Sequence, residues 1–171
     1  MSPGILQRID GAARRSTPLA ITLLIVVLAV VPLRLPDYVV FTPRFALMAV
    51  FYWSVHRPDL MRPWGAFAVG LLDDILGGTP LGLNALVLLL VHAGLVAQQK
   101  NFHGKPFALV WCGFALAALA ATLISVALAY FLVGRTAEGP ALFLQFALTV
   151  ALYPIVGWVL TRAQRAFLAT V

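Results

Sequence analysis

The sequence is poor in charged residues, and acidic residues are the scarcest of them. Only 11% of its 171 residues are charged, with 6 Asp and Glu against 12 Lys and Arg. Soluble domains carry about 25% charged residues, so this low fraction excludes an ordinary soluble domain. The basic excess does not indicate nucleic acid binding, because no basic cluster is interleaved with aromatic residues.

Catalytic and redox signatures are also missing. Cys112 is the only cysteine, which excludes a disulfide within the chain. Neither an H-E-x-x-H zinc motif nor a G-x-S-x-G nucleophile motif occurs. The histidines, His56, His92 and His103, lack the spacing of metal ligands. These absences predict a protein with no metal, no cofactor and no catalytic centre.

Long apolar runs fill most of the chain instead. Hydrophobic residues make up 62% of the sequence, and its mean hydropathy is +0.97. A membrane-spanning helix needs about 20 apolar residues, and Pro, Gly and charged residues divide the chain into runs of roughly this length. The six predicted spans are residues 18–35, 39–55, 63–76, 80–98, 107–133 and 140–161. The sequence therefore predicts an all-α integral membrane protein, with a segment 1–17, a membrane domain 18–161 and a basic tail 162–171.

Lys and Arg are distributed unevenly between the two sides of these predicted spans. With the N-terminus inside, nine basic residues fall on the inner side and three on the outer side. The inner set is Arg8, Arg14, Arg15, Arg57, Arg62, Lys100, Lys105, Arg162 and Arg165, and the outer set is Arg34, Arg44 and Arg135. Short cytoplasmic loops of membrane proteins carry such an excess. Both chain ends are therefore predicted to be cytoplasmic, which requires an even number of spans.

Two adjacent carboxylates in span 63–76 are the most unusual polar residues, because charge within a membrane helix is costly. Neighbouring helical positions point about 100° apart, so Asp73 and Asp74 face different directions. Gly70, Asp74 and Gly78 lie four residues apart on one stripe, where the glycines let a second backbone approach closely. We therefore expect Asp74 to face inward and Asp73 to face water or a partner.

Asp74 has both a functional and a structural interpretation. It could be a proton relay, a ligand contact or the acid of an intramembrane hydrolase, close to the Gly-Gly-Thr-Pro break at residues 77–80. It could instead accept hydrogen bonds from backbone N–H groups of that break, or pair with Arg44. Residues 63–76 cover only roughly 21 Å at about 1.5 Å per residue, so the break is expected below the outer membrane surface.

Small and polar residues on the helices are expected to hold the bundle together. One set recurs every four residues and predicts a close-packing seam: Gly113, Ala117, Ala121 and Ser125. Asn84 and His92 are expected to hydrogen-bond between helices. Gly78 and Gly82 are expected to matter through packing, so that a Leu at either position would lower the recovery of a partner protein.

Three stretches of the chain resemble one known family, the rod shape-determining protein MreD family of bacterial inner membranes. The most specific stretch has the family's G-x-x-x-D-x-x-x-G-x-x-L-G pattern, at Gly70, Asp74, Gly78, Leu81 and Gly82. The other stretches are Thr42-Pro43-Arg44 with Phe51-Tyr52-Trp53 and Pro58, and Tyr153-Pro154. The resemblance covers nearly the whole chain in length, number of spans and order of these landmarks. Asp73 has no fixed place in the pattern.

This resemblance implies a membrane scaffold rather than an enzyme. Members of the family associate with MreC, a single-span periplasmic coiled-coil protein. Through MreC they join a RodA-type glycosyltransferase, its class B penicillin-binding protein and the actin-like MreB filaments of the cell-elongation machinery. The resemblance thus implies a multi-pass protein of the bacterial inner membrane, with the lipid bilayer and MreC as partners and no nucleic acid.

A second function stays open, because the six-helix layout is also similar to the substrate-binding subunits of energy-coupling-factor vitamin transporters. Discontinuous helices line the binding sites of many transporters, and the break after span 63–76 could line such a pocket. Its main polar groups would be Asp73, Asp74, Thr79 and Asn84. Similarity of fold does not by itself carry function.

Overall fold

The computed structural model describes residues 42–58, 61–98, 105–134 and 139–168. Within these ranges the chain forms no β-strand and five α-helices: α1 Phe45–His56, α2 Pro63–Gly77, α3 Leu83–Ala97, α4 Phe107–Val133 and α5 Gly139–Leu168. The predicted segment 1–17 and first span 18–35 lie outside the described residues. The predicted all-α class is confirmed for the described part of the chain. The count of six spans and the similarity to energy-coupling-factor subunits stay predictions.

Proline and glycine set the helix ends. α2 begins at Pro63, where the missing N–H lies in the first turn and leaves no hydrogen bond unmade. α4 ends before Gly134, which adopts the left-handed conformation common after helix C-termini. The predicted spans 63–76 and 107–133 therefore agree with α2 and α4 to within one residue. The predicted span 80–98 starts three residues before α3, because a turn at Gly82 precedes the helix.

α1 is the central helix of the described bundle, since it contacts each of the other four helices. Every residue from Ala46 to Val55 is buried, so α1 is surrounded by protein on all sides. Aromatic rings fill its contact with α4 and α5. Phe51 lies edge-on to Phe114 and Tyr153, with ring centroids 5.1 and 5.6 Å away, and Phe114 stacks on Tyr153 at 4.1 Å.

The helices α2, α3, α4 and α5 lie around α1, and each contacts the next in chain order. α4 and α5 are long and apolar enough to cross a membrane. Their exposed side chains are large and apolar, including Leu116, Leu123, Phe131, Phe143 and Ile155. A helix with an apolar outer surface is suited to lipid rather than water. α5 continues to Leu168, so residues 162–168 of the predicted tail are helical.

Candidate functional site

Among the described helices, α2 and α3 have the most extensive contact with each other, and a glycine allows it. A Cβ atom built on Gly70 would overlap Ala85 Cα and lie only 2.7 Å from Ala85 N. Real Cβ atoms do not approach backbone atoms so closely, and any side chain at this position would force the two helices apart. Gly70 therefore brings the first turn of α3 directly against α2.

Two glycines then shape the turn between these helices. α2 ends at Gly78 with φ +68°, and α3 begins after Gly82 with φ +96°. Both values lie in the left-handed region, which glycine adopts without the steric cost of a Cβ atom. The N–H groups of Gly78 and Thr79 both donate to the Asp74 carbonyl, which satisfies the end of α2.

The Asp74 carboxylate lies inside this turn and accepts hydrogen bonds from it and from the start of α3. Its side chain is 1% exposed and accepts four hydrogen bonds. Oδ1 accepts from Thr79 Oγ1 at 2.7 Å and from the Asn84 N–H at 3.0 Å. Oδ2 accepts from the Gly82 N–H at 2.9 Å and from the Ala85 N–H at 3.3 Å. We call this arrangement, formed by Asp74 with residues 79, 82, 84 and 85, the Asp74 network.

The Asp74 network also supplies the missing cap of α3. The first N–H groups of a helix have no partner within the helix, and the glycine before α3 has no side chain to accept from them. A carboxylate from α2 accepts these N–H groups instead and places negative charge at the positive end of the helix dipole. The network therefore joins two helices through one buried side chain. The carboxylate contacts the break at residues 77–80 only through the Thr79 hydroxyl, and its three N–H donors follow the break. The expected N–H donors of the break, those of Gly78 and Thr79, bond to the Asp74 backbone carbonyl instead.

The expected packing role of Gly78 and Gly82 needs correction. A Cβ atom added at either residue would meet nothing within 4 Å. Each is required by its positive φ instead, because an L-residue is strained in that conformation whatever space surrounds it. Of the two glycines flanking Asp74 on the predicted stripe, only Gly70 permits a close backbone approach.

Arg44 is the centre of a second polar cluster, at the N-terminal end of α1. Its Nη2 donates to Ser125 Oγ on α4 at 2.9 Å, and its backbone N–H donates to Thr149 Oγ1 on α5 at 3.2 Å. Its charge attracts the carboxylate of Asp73. Asp73 is half-buried, and its expected position toward water or a partner stays a prediction.

The two remaining predicted polar residues, Asn84 and His92, have different kinds of partner. Asn84 Nδ2 donates to Thr79 Oγ1 at 3.3 Å, so this side chain bonds to the turn before α3 rather than to another helix. His92 on α3 is buried and lies 2.7 Å from Ser54 Oγ on α1. Because the Ser54 hydroxyl donates to the Val50 carbonyl at 2.6 Å, it is His92 Nδ1 that donates to Ser54. His92 therefore links α1 and α3.

The predicted packing seam of α4 divides into two parts. Ala121 and Ser125 are buried inside the bundle. Gly113 and Ala117 instead line an open cavity of about 310 Å³ between α3 and α4. The cavity lining is apolar apart from Gln98, and none of the residues around Asp74 takes part in it.

Sequence reasoning missed several partners of these polar groups. Ser54 and Thr149 were not singled out, because a lone Ser or Thr in an apolar helix gives no signal of what it bonds across the bundle. Thr161 Oγ1 lies 3.1 Å from the Tyr52 hydroxyl and was missed for the same reason. The Ala85 N–H could not be found from side-chain chemistry at all, since the group is backbone.

The geometry limits the chemistry available to Asp74. Both carboxylate oxygens are saturated by donors from the same hairpin, which leaves none directed toward a substrate or a proton donor. In the described ranges, no three His, Cys, Asp or Glu side chains cluster in a way that would hold a metal ion. The site is thus suited to fixing backbone shape rather than to transferring a group.

Comparisons with known proteins agree with the sequence resemblance. The family model described as rod shape-determining protein MreD matches residues 14–162. No curated protein and no solved structure matches the chain. The matched range contains the whole Asp74 network and the Arg44 cluster.

Proposed function

The chain belongs to the rod shape-determining protein MreD family, and from this premise we propose that it is a non-catalytic scaffold of the cell-elongation machinery. Membership supports a role in rod shape determination and places the chain among membrane proteins. The finer proposal is that it binds MreC and so supports lateral peptidoglycan synthesis. RodA-type glycosyltransferase, class B penicillin-binding protein and MreB would then be indirect partners.

The saturated Asp74 carboxylate is the observation that best supports a scaffold rather than an enzyme. Asp74 is the one carboxylate of the family pattern, and four donors, including the N–H of Gly82 in the same pattern, leave it no free acceptor site. A catalytic acid needs a titratable proton within reach of the substrate. A rigid binding surface needs a backbone held in one conformation, which the Asp74 network provides.

The turn that this network holds is exposed. Residues 77–81 all lie at the surface, and Leu81 is 71% exposed. Irregular backbone cannot face lipid, because its unpaired N–H and C=O groups need water or protein. We infer that this turn, named here the 77–81 turn, is a contact surface for MreC, with Leu81 as its apolar centre.

The described structure gives little support to the alternative that the chain is a substrate-binding transporter subunit. A binding pocket would be expected to gather the polar groups at positions 73, 74, 79 and 84. The cavity between α3 and α4 is lined by other residues and is almost wholly apolar. A lack of thermal stabilisation by any member of a vitamin panel would weigh further against this alternative.

The scaffold proposal is tested first in cells. Depleting the protein from a rod-shaped host is expected to round the cells, and affinity purification of the tagged chain is expected to recover MreC. Both follow if the chain links MreC to wall synthesis along the cell length. Rod shape and wall incorporation that persist after clean depletion would rule the proposal out.

The 77–81 turn is tested by a matched pair of leucine variants. Leu81 and Leu123 are similarly exposed, at 71% and 62%, but Leu123 lies on α4 away from the turn. Removing an apolar interface side chain typically costs about 1–2 kcal/mol, or roughly 5- to 30-fold in affinity. Leu81→Ala should reduce MreC recovery to this extent, and Leu123→Ala should not. Equal recovery at equal membrane levels would show that MreC binds elsewhere.

A further inference from the structure

All of the cations whose side chains are described, apart from Arg44, lie at one end of the bundle. Arg57, Arg62, Lys105 and Arg162 lie at the end where α1 and α3 finish and α2 and α4 begin. Within the part of the chain whose side chains are described, the two carboxylates, Asp73 and Asp74, lie toward the opposite end of α2. We name the cationic end the basic end. Its described charges are therefore of one sign.

Exposed aromatic rings accompany the cations of the basic end. Arg62 lies just before α2 and two residues from the exposed Trp64, and Lys105 lies just before α4 and two residues from the exposed Phe107. On α5, the Arg162 guanidinium lies over the exposed Trp158 ring, 4.9 Å from its centroid. Rings at the membrane interface lie among lipid headgroups and upper acyl chains, and neighbouring cations meet the headgroup phosphates.

The Trp158–Arg162 pair is held in place by the bundle. Between the two residues, Leu160 is fully buried, and Thr161 lies 3.1 Å from the Tyr52 hydroxyl on α1. These contacts fix the last described side chains of α5 and direct Trp158 and Arg162 outward. Stacking on a ring uses the face of the guanidinium and leaves the N–H groups at its edge available for a phosphate.

We propose that the basic end binds the phosphate of anionic phospholipids, with the Trp158–Arg162 pair as the central contact. The cations supply the attraction to phosphate, and the exposed rings require a ligand that also has an apolar part. A headgroup joined to acyl chains meets both requirements at once. A free phosphate meets only the requirement for negative charge. An acidic protein surface would not explain why the exposed rings face the acyl region.

The test uses the full chain purified in neutral detergent. Binding of phosphatidylglycerol, phosphatidylcholine, soluble glycerol phosphate and polyglutamate is measured by thermal stabilisation and by native mass spectrometry. Phosphatidylglycerol is expected to raise the melting temperature of the protein much more than phosphatidylcholine does. The two soluble anions should leave the melting temperature unchanged. One juxtamembrane cation contributes about five-fold to such binding, so Arg162→Gln should weaken the apparent affinity roughly five-fold.

Further variants separate charge from stacking and from unfolding. Arg162→Lys keeps the charge but loses the planar stack, so its affinity should lie between those of the parent and Arg162→Gln. Trp158→Leu should weaken phosphatidylglycerol binding, whereas Phe131→Leu, at an exposed ring on the other end of α4, should not. If Arg162→Gln fails to fold, Arg62→Gln on a different helix gives the same measurement.

Three outcomes would overturn the proposal. Equal stabilisation by phosphatidylcholine would show that the charges are irrelevant. Binding of glycerol phosphate as tightly as phosphatidylglycerol would indicate a site for free phosphate, and tight binding of polyglutamate would indicate an acidic protein partner. Unchanged affinity in both Arg162→Gln and Arg62→Gln would remove the basic end from lipid binding altogether.

Discussion

At the residue scale, two neighbouring carboxylates have opposite surroundings. Asp74 is enclosed by four donors from its own hairpin, whereas the half-buried Asp73 is attracted to Arg44. The cause is the angle of about 100° between adjacent helical positions, which directs the Asp74 side chain toward α3 and the Asp73 side chain elsewhere. That Asp74 faces inward could be predicted from its spacing to Gly70. The neighbour of Asp73 could not, because it depends on how α1 packs.

This difference predicts unequal effects of mutation. Asp74→Ala would leave four donors without their acceptor and should destabilise the protein by about 2–4 kcal/mol. Asp73→Ala removes only a half-buried charge and should cost about 1 kcal/mol or less. The thermal unfolding of both variants in detergent gives the ranking, and membrane levels give a second measure.

Asp74→Asn is the informative control, because it keeps the shape of the side chain. An amide nitrogen would replace one of two oxygens that each accept two hydrogen bonds, so it would face N–H or O–H donors. We therefore expect Asp74→Asn to destabilise nearly as much as Asp74→Ala. A variant as stable as the parent would contradict the assigned role of the carboxylate.

At the element scale, the α2–α3 hairpin depends on three glycines for two different reasons. Gly70 is needed because α3 backbone lies against it, whereas Gly78 and Gly82 are needed for their positive φ. Sequence spacing could identify all three as special, since they flank a carboxylate in a regular pattern. It could not separate close approach from backbone conformation, because both favour glycine.

Gly70→Ala should therefore lower the stability of the protein, although it adds only a single methyl group. Its Cβ would overlap the Ala85 backbone, and relieving the overlap would strain the Asp74 network, at about 1–3 kcal/mol. Gly77→Ala is the matched control, since its Cβ would meet nothing within 4 Å and its φ is not positive. That control should be neutral or slightly more stable, because Ala favours a helix. Equal melting temperatures for the two variants would refute the close approach.

At the scale of the whole molecule, one end of the described bundle is basic and the other holds the Asp74 network. This separation of charge agrees with the predicted orientation, in which the basic end lies in the cytoplasm. The 77–81 turn would then lie on the periplasmic side, where the coiled coil of MreC is expected. The proposal of six spans follows from the same alternation of charge.

The orientation can be tested by cysteine labelling. Cys112 is exposed and would itself react with a maleimide, so the single cysteines are introduced into a Cys112→Ser variant. Single cysteines at Ser2 and Thr170 should both resist a membrane-impermeant maleimide added to intact spheroplasts, whereas one at Thr136 should react. Reaction at only one of the two ends would mean an odd number of spans and would overturn the assigned orientation.

The helical class, the ends of α2 and α4 and the special role of the Gly/Asp pattern could be read from the amino-acid sequence. These features follow from local properties, namely apolar run length, proline and glycine at helix ends, and spacing along one helix face. The packing of the helices was needed to show that Asp74 caps α3, that Arg44 attracts Asp73 and that the Trp158–Arg162 pair of α5 faces outward at the basic end. Each of these results depends on which faces of separate helices meet, and no local pattern specifies those distances.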